Sequence, residues 1–170
     1  MSITHVLQLF VALLLLVAAI ACVRATANVV RPPPGPDSTP TPTTATIGDA
    51  SFAVELAVTA RQQAQGLSGR PSLVPGTGML FILASEGRPS FWMKDMRFPL
   101  DMVWISAEYA VVDITEDVPP PAPGQTTSEL PTYMPAEPAQ FVLQINAGET
   151  GSADIRVGDM VEFGGFHLVE

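Results

Sequence analysis

Apolar residues are spread along this chain in three different ways. From Val6 to Val23 they run almost without interruption, Gln8 being the one polar residue among eighteen. From Arg31 to Thr44 they vanish, and six prolines stand among glycine, serine, threonine and aspartate. From about Ala50 onward they alternate with polar residues or gather in short runs bounded by turn formers. Phe52, Val54, Leu56 and Val58 fall on one face of an extended segment, which predicts a half-buried strand. Thr59 is then a natural N-cap, 60–65 a short helix of good formers, and Gly66 its stop. After a turn-rich stretch over 70–78, strands are predicted at 79–83, 91–94, 102–106 and 109–116, with Ala107 and Glu108 as the turn between the last two. Residues 140–146 alternate again, with Phe141, Leu143 and Ile145 inward. A helical turn near 151–155 and strands at 157–163 and 166–169 complete the pattern.

Short strands at close spacing predict a mostly β fold: a single barrel- or sandwich-like domain over 46–170 with one or two short helices. No internal repeat is visible. Residues 117–138 carry seven prolines in 22 positions. So long a loop in a small domain reads either as a mobile surface segment or as a lid carrying Tyr133 and Met134 over a pocket.

The first 23 residues read as a signal peptide or an N-terminal membrane anchor, eighteen apolar positions being the boundary between the two. Ala19-Ile20-Ala21-Cys22 loosely resembles a lipoprotein cleavage site, which makes Cys22 a lipidation candidate. Arg24 and Arg31 follow the run, against the usual routing of an exported domain. Residues 24–45 read as a Pro/Thr-rich linker that holds the domain off the bilayer at roughly 3 Å per residue. The expected location is therefore membrane-anchored and extracytoplasmic, or secreted.

Charge and composition narrow the choice of chemistry. Over 46–170, six Lys and Arg face sixteen Asp and Glu. Such a balance argues against nucleic acid, whose affinity rests on many cationic contacts to phosphate. Cys22 is the one cysteine, so no intrachain disulfide and no thiol in the folded part is available. His5 and His167 sit near the two ends, which leaves no histidine triad and no expected metal site. No cofactor is implied.

The densest chemistry lies in Ser90–Asp101, where Lys94, Asp95, Arg97 and Asp101 interrupt an apolar and aromatic run. Lys94 is the one lysine of the chain. A charge among large apolar groups is costly unless paired or solvated. If 90–96 is extended, Trp92, Lys94 and Met96 share one face, while Phe91, Met93 and Asp95 share the other. Three arrangements are open. Lys94–Asp101 and Arg70–Asp95 could be ion pairs that pin a turn, with Arg97 a further candidate partner. Trp92, with Trp104 or Tyr133, could form an aromatic platform flanked by Lys94 and Asp101, suited to a sugar or other flat polar ligand. Lys94, desolvated by Trp92 and Met96, could act as base or nucleophile with Asp101 as its partner acid.

Several of these residues occur in a familiar order. Gly66-Leu67, Arg70, Gly78-Met-Leu-Phe81, Phe91-Trp-Met-Lys94 and Pro99-Leu-Asp-Met102 are followed by Phe141-Val-Leu143, Ala147-Gly148 and Gly158-Asp159. Together they resemble the "domain of unknown function 192" family over about 50–163. The resemblance implies a small β-rich domain, often exported or membrane-attached, with no established reaction. The chain departs from that pattern with Arg61 among glutamines, Ser68 in place of a methionine, and Asp95 in place of an asparagine. It also has no cysteine pair in the Pro-rich loop, which bears against a metal or redox role there. The functional expectation is a ligand-binding or accessory module of the cell envelope. The alternatives are an enzyme acting on an envelope polymer through Lys94 and Asp101, and an interaction domain supporting another envelope protein.

Overall fold

The computed structural model describes residues 43–165. The leader with Cys22, the linker up to residue 42, His167 and the strand expected at 166–169 lie outside the described residues. Seven strands form one sheet: β1 (Thr44–Ile47), β2 (Ala50–Ala57), β3 (Thr77–Gly87), β4 (Leu100–Ile105), β5 (Val111–Val118), β6 (Ala139–Asn146) and β7 (Val161–Gly164). Their order across the sheet is β5-β4-β6-β3-β2-β1-β7. Two short helices, α1 (Ala60–Gln65) and α2 (Glu149–Ser152), join them. The first strand begins at Thr44, two residues inside the segment expected to be linker.

The sheet curls into a half-barrel, and its outer strands approach each other along a short seam. Val111 N donates to Asp159 O, Gly158 N to Val111 O and Val161 N to Tyr109 O, each at 2.8 Å. Alternation along the central strands explains two separate cores. Leu80, Val103, Ile105, Phe141, Leu143 and Ile145 meet Ile47, Phe52 and Val54 inside the curl. The intervening residues Met79, Phe81, Met102, Trp104 and Val142 form a second core on the outer face. β4 is therefore buried at every position. A strand covered on both faces reads as a continuous apolar run rather than an alternating one.

The two faces also explain where the expected pattern slips. Phe52 and Val54 point inward as predicted, but Ala57 is buried on the outer face and Val58 is exposed. β2 and β3 pair in parallel, with Val54 opposite Gly78 and Leu56 opposite Leu80. Parallel neighbours need a long crossover, and residues 58–76 supply it, with α1 inside. α1 keeps its predicted ends. Thr59 Oγ1 accepts from Gln62 N, Gln62 Oε1 accepts from Thr59 N, and Gly66 N donates to Gln62 O. Gly78 is required by close approach, because a Cβ there would lie 2.7 Å from Gln144 O on β6.

Three further expectations are corrected. The segment 91–94 is not a strand. Phe91 makes a single antiparallel bridge to Tyr133, after which the chain turns, with Met96 N donating to Met93 O at 3.2 Å. The last described strand starts at Val161 rather than at 157, because Arg156–Asp159 forms a turn closed by Asp159 Oδ2 on Arg156 N. The helical turn expected near 151–155 begins two residues earlier, at Glu149.

Candidate functional site

The outer core positions the segment that carries the densest chemistry. Phe91 packs edge-on against Phe81 and Trp104, with ring centroids 4.9 and 5.6 Å apart. Met93 and Met96 both enter the outer core. Two residues three apart can do so because the chain turns between them. The expected two-residue alternation would have placed them on opposite faces, and it fails here. Lys94 and Arg97 are consequently both exposed, again three apart, on the rim of the turn. Asp95 stands at the left-handed position of that turn, with φ of 56°. Aspartate and asparagine tolerate this conformation better than other non-glycine residues. Asp95 thus serves the turn's backbone, as the asparagine implied by the resemblance would.

The turn docks onto the end of α1. Ser68 Oγ donates to Lys94 O at 2.8 Å, and Gly69 N donates to Asp95 O at 2.8 Å. Between these two segments and the Pro-rich loop lies an open cleft of about 540 Å³. Lys94 and Arg97 of the turn, Gln65 and Ser68 at the end of α1, and Gln125 and Thr127 of the Pro-rich wall line it. That wall is held by its own hydrogen bonds. Gln125 Nε2 donates to Glu129 O, Ala122 N to Gln125 Oε1, and Thr126 N to Glu129 Oε2. The Thr126 backbone amide and hydroxyl hold the Glu129 carboxyl below its ordinary range. Tyr133 and Met134 are not the lid that the sequence suggested. Tyr133 packs against the outer core and Met134 is exposed, while residues 121–130 wall the cleft. The capping-box spacing Thr126-x-x-Glu129 is the sequence signal for this ordered turn.

Asp101 does not reach Lys94. It is 0% exposed on β4, and its carboxyl accepts four hydrogen bonds. Asp117 N donates to Oδ1 at 2.8 Å. Gly148 N, Thr150 N and Thr150 Oγ1 converge on Oδ2 at 2.9, 3.1 and 2.6 Å. The Thr150 hydroxyl also lies 3.0 Å from Glu116 Oε1, so two carboxyls share its one proton. Asp101 ties β4, the end of β5 and the start of α2 together, and it has no access to the cleft. The Lys94–Asp101 pair is therefore not formed, either as a pinning ion pair or as a catalytic couple.

Arg70 is likewise engaged elsewhere. It makes a bidentate pair with Glu55 on β2, at 2.6 and 2.8 Å, rather than with Asp95. The hydrogen bond from Arg70 holds the Glu55 carboxyl below its usual value, and the same contact raises the guanidinium. Trp104 is wholly buried and donates Nε1–H to Thr115 Oγ1 at 2.9 Å, so it belongs to the core and not to an aromatic platform.

Trp92, Lys94 and Arg97 remain as the accessible candidates: Lys94 and Arg97 line the cleft, and Lys94 links it to Trp92, which stands beside the cleft and not among its lining residues. Trp92 is 48% exposed, with Lys94 Nζ 5.9 Å from its ring centroid, a cation–π placement. Among the described residues, neither Lys94 nor Arg97 forms an ion pair, whereas Arg70 and Arg156 do. No group of three or more His, Cys, Asp or Glu among the described residues is placed to hold a metal ion. No described helix is long and apolar enough to cross a membrane.

Comparison with known proteins gives a family and no reaction. The family DUF192, described as "Uncharacterized ACR", matches residues 43–163. A candidate transcription regulator from Sinorhizobium meliloti is similar in structure, with a TM-score of 0.65 and 29% identity, over 74% of this chain and 96% of that one. A protein of unknown function from Novosphingobium aromaticivorans has a TM-score of 0.62 and 31% identity, over 72% of this chain and 84% of its own. No curated protein matches the chain.

Proposed function

The chain belongs to the uncharacterised DUF192 family, and from that premise we propose that it is a membrane-tethered, extracytoplasmic ligand-binding module of the cell envelope. The observation that carries the binding reading is a half-exposed Trp92 beside Lys94, which forms no ion pair among the described residues and lines the polar cleft; Trp92 stands next to that cleft, against the adjoining hollow lined by Gln63, Leu67 and Met96. An exposed indole forgoes the burial that would stabilise the fold. Its flat face beside polar and charged groups suits a ring-shaped polar ligand such as a saccharide, which packs on the ring while hydrogen-bonding groups orient it. The lining residues Gln125, Thr127 and Ser68 add amide and hydroxyl groups to the same cleft.

The test uses the chain's two tryptophans, of which Trp92 is exposed and Trp104 buried. A panel of neutral and acidic oligosaccharides is titrated against the full-length protein in detergent while emission is followed. At least one member is expected to quench or shift the Trp92 signal. Trp92→Ala should abolish that response while the variant still unfolds cooperatively, with a loss of about 1–3 kcal/mol for the buried half of the indole. If no member of the panel binds, the ligand-binding reading falls.

The tether rests on the apolar run Val6–Val23 followed by the Pro-rich segment. Fractionation of expressing cells should place the protein with membranes. Its intact mass should show either an uncleaved leader or a chain beginning with lipidated Cys22. An unmodified protein in the soluble fraction would refute the tether.

A further inference from the structure

We propose that the ligand of this cleft is an acidic saccharide, a sugar ring bearing carboxylate or phosphate, with its ring on Trp92 and its anionic group between Lys94 and Arg97. This rests on the cleft being a ligand site, as argued above, and adds the charge class. The chain as a whole is acidic, with a formal net charge of −9. An anion approaching such a surface is repelled unless cations are concentrated where it lands. Two of the six Lys and Arg of the described residues stand three positions apart on one cleft wall, with Asp95 the one acidic residue lining that cleft. Neither cation is consumed by an ion pair among the described residues. Both belong to a turn whose backbone is fixed by Met93, Met96 and the bonds to Ser68 and Gly69. A cation held on such a turn with no ion-pair partner among the described residues keeps its N–H donors for a ligand, and charge-assisted bonds to an anion are stronger than neutral ones. A neutral sugar needs Trp92 and the cleft's amides and hydroxyls but leaves both cations unused.

The test compares tetragalacturonic acid, glucose 6-phosphate and the neutral galactotetraose on the full-length protein in detergent, at low and high sodium chloride. The first two probes distinguish carboxylate from phosphate as the anionic group. At least one acidic probe is expected to bind about tenfold or more tightly than the neutral one, and to lose that advantage at high salt. Arg97→Gln and Lys94→Gln should each weaken acidic binding by about tenfold, the usual order for one charge-assisted contact, with neutral binding unchanged. Both side chains are exposed, and the unfolding midpoint of each variant verifies that it folds. Equal binding of neutral and acidic probes without salt dependence overturns the acidic class and leaves the ligand-binding reading intact. Acidic binding that survives both substitutions overturns the site. Absence of binding by every probe overturns both readings.

Discussion

Two aspartates six residues apart look alike in the sequence and have opposite roles. Asp101 is buried beneath four donors that converge on both of its carboxyl oxygens, so it must accept at both. Asp95 is exposed and serves a left-handed turn position. An isosteric replacement separates the two roles. Asp101→Asn sets an amide –NH₂ against backbone donors and should destabilise the protein by about 1–3 kcal/mol, the cost of a buried group left without a partner. Asp95→Asn keeps the turn preference and should change stability by less than about 0.5 kcal/mol. Denaturant midpoints of the two variants measure the contrast. Equal, small effects would mean that the Asp101 network adds nothing to the fold. Lys94 follows the same lesson. Its side chain is exposed beside Trp92 and is not paired with Asp101.

At the scale of elements, the bidentate Glu55–Arg70 pair joins β2 to the crossover that follows α1. Its pH dependence has a definite sign. The folded-state pKa of Glu55 is held below its ordinary 4.5 by Arg70. The pair's contribution is thus fully present above about pH 4.5 and is lost as pH falls through the lowered value. The side chains are 35% and 60% exposed, so solvent screening limits the pair to about 0.2–1 kcal/mol. Glu55→Gln should therefore be less stable than the native protein by that amount at pH 7, and the gap should narrow as pH falls below 4.5. A gap that does not change with pH across the acid range would assign the effect to packing instead. The pair also explains why Arg70 contributes nothing to the cleft, although its neighbour Gly69 bonds directly to the 94–97 turn.

At the scale of the whole molecule, one sheet whose central strands are buried on both faces organises everything else. The inner core draws residues from all seven strands, and the outer core is closed by Leu67 and Leu73 of the crossover, the 91–98 segment and Tyr133. This second layer turns Phe91, Met93 and Met96 toward the sheet, and so leaves Trp92, Lys94 and Arg97 at the surface. The cleft exists because the Pro-rich loop returns over that layer and pairs Tyr133 with Phe91. The site belongs to the packing of three segments far apart in the chain, and no one of them contains it.

What the sequence determined by itself was local. Thr59, Gln62 and Gly66 cap α1 through groups within seven residues of one another, and alternation at Phe52–Val54 and Phe141–Ile145 already marked the inner face. Strands, caps and the apolar–polar period depend on near neighbours, and the composition that made the chain mostly β acts at the same range. The tertiary structure alone decided which charges are free. Asp101 met donors from Asp117, Gly148 and Thr150, and Arg70 met Glu55, while Lys94 and Arg97 met no ion-pair partner among the described residues. Those outcomes depend on long-range pairing, including the parallel match of β2 with β3 and the return of the Pro-rich loop. A charge's partner is set by what folding brings within about 4 Å of it, and no period along the chain encodes that distance.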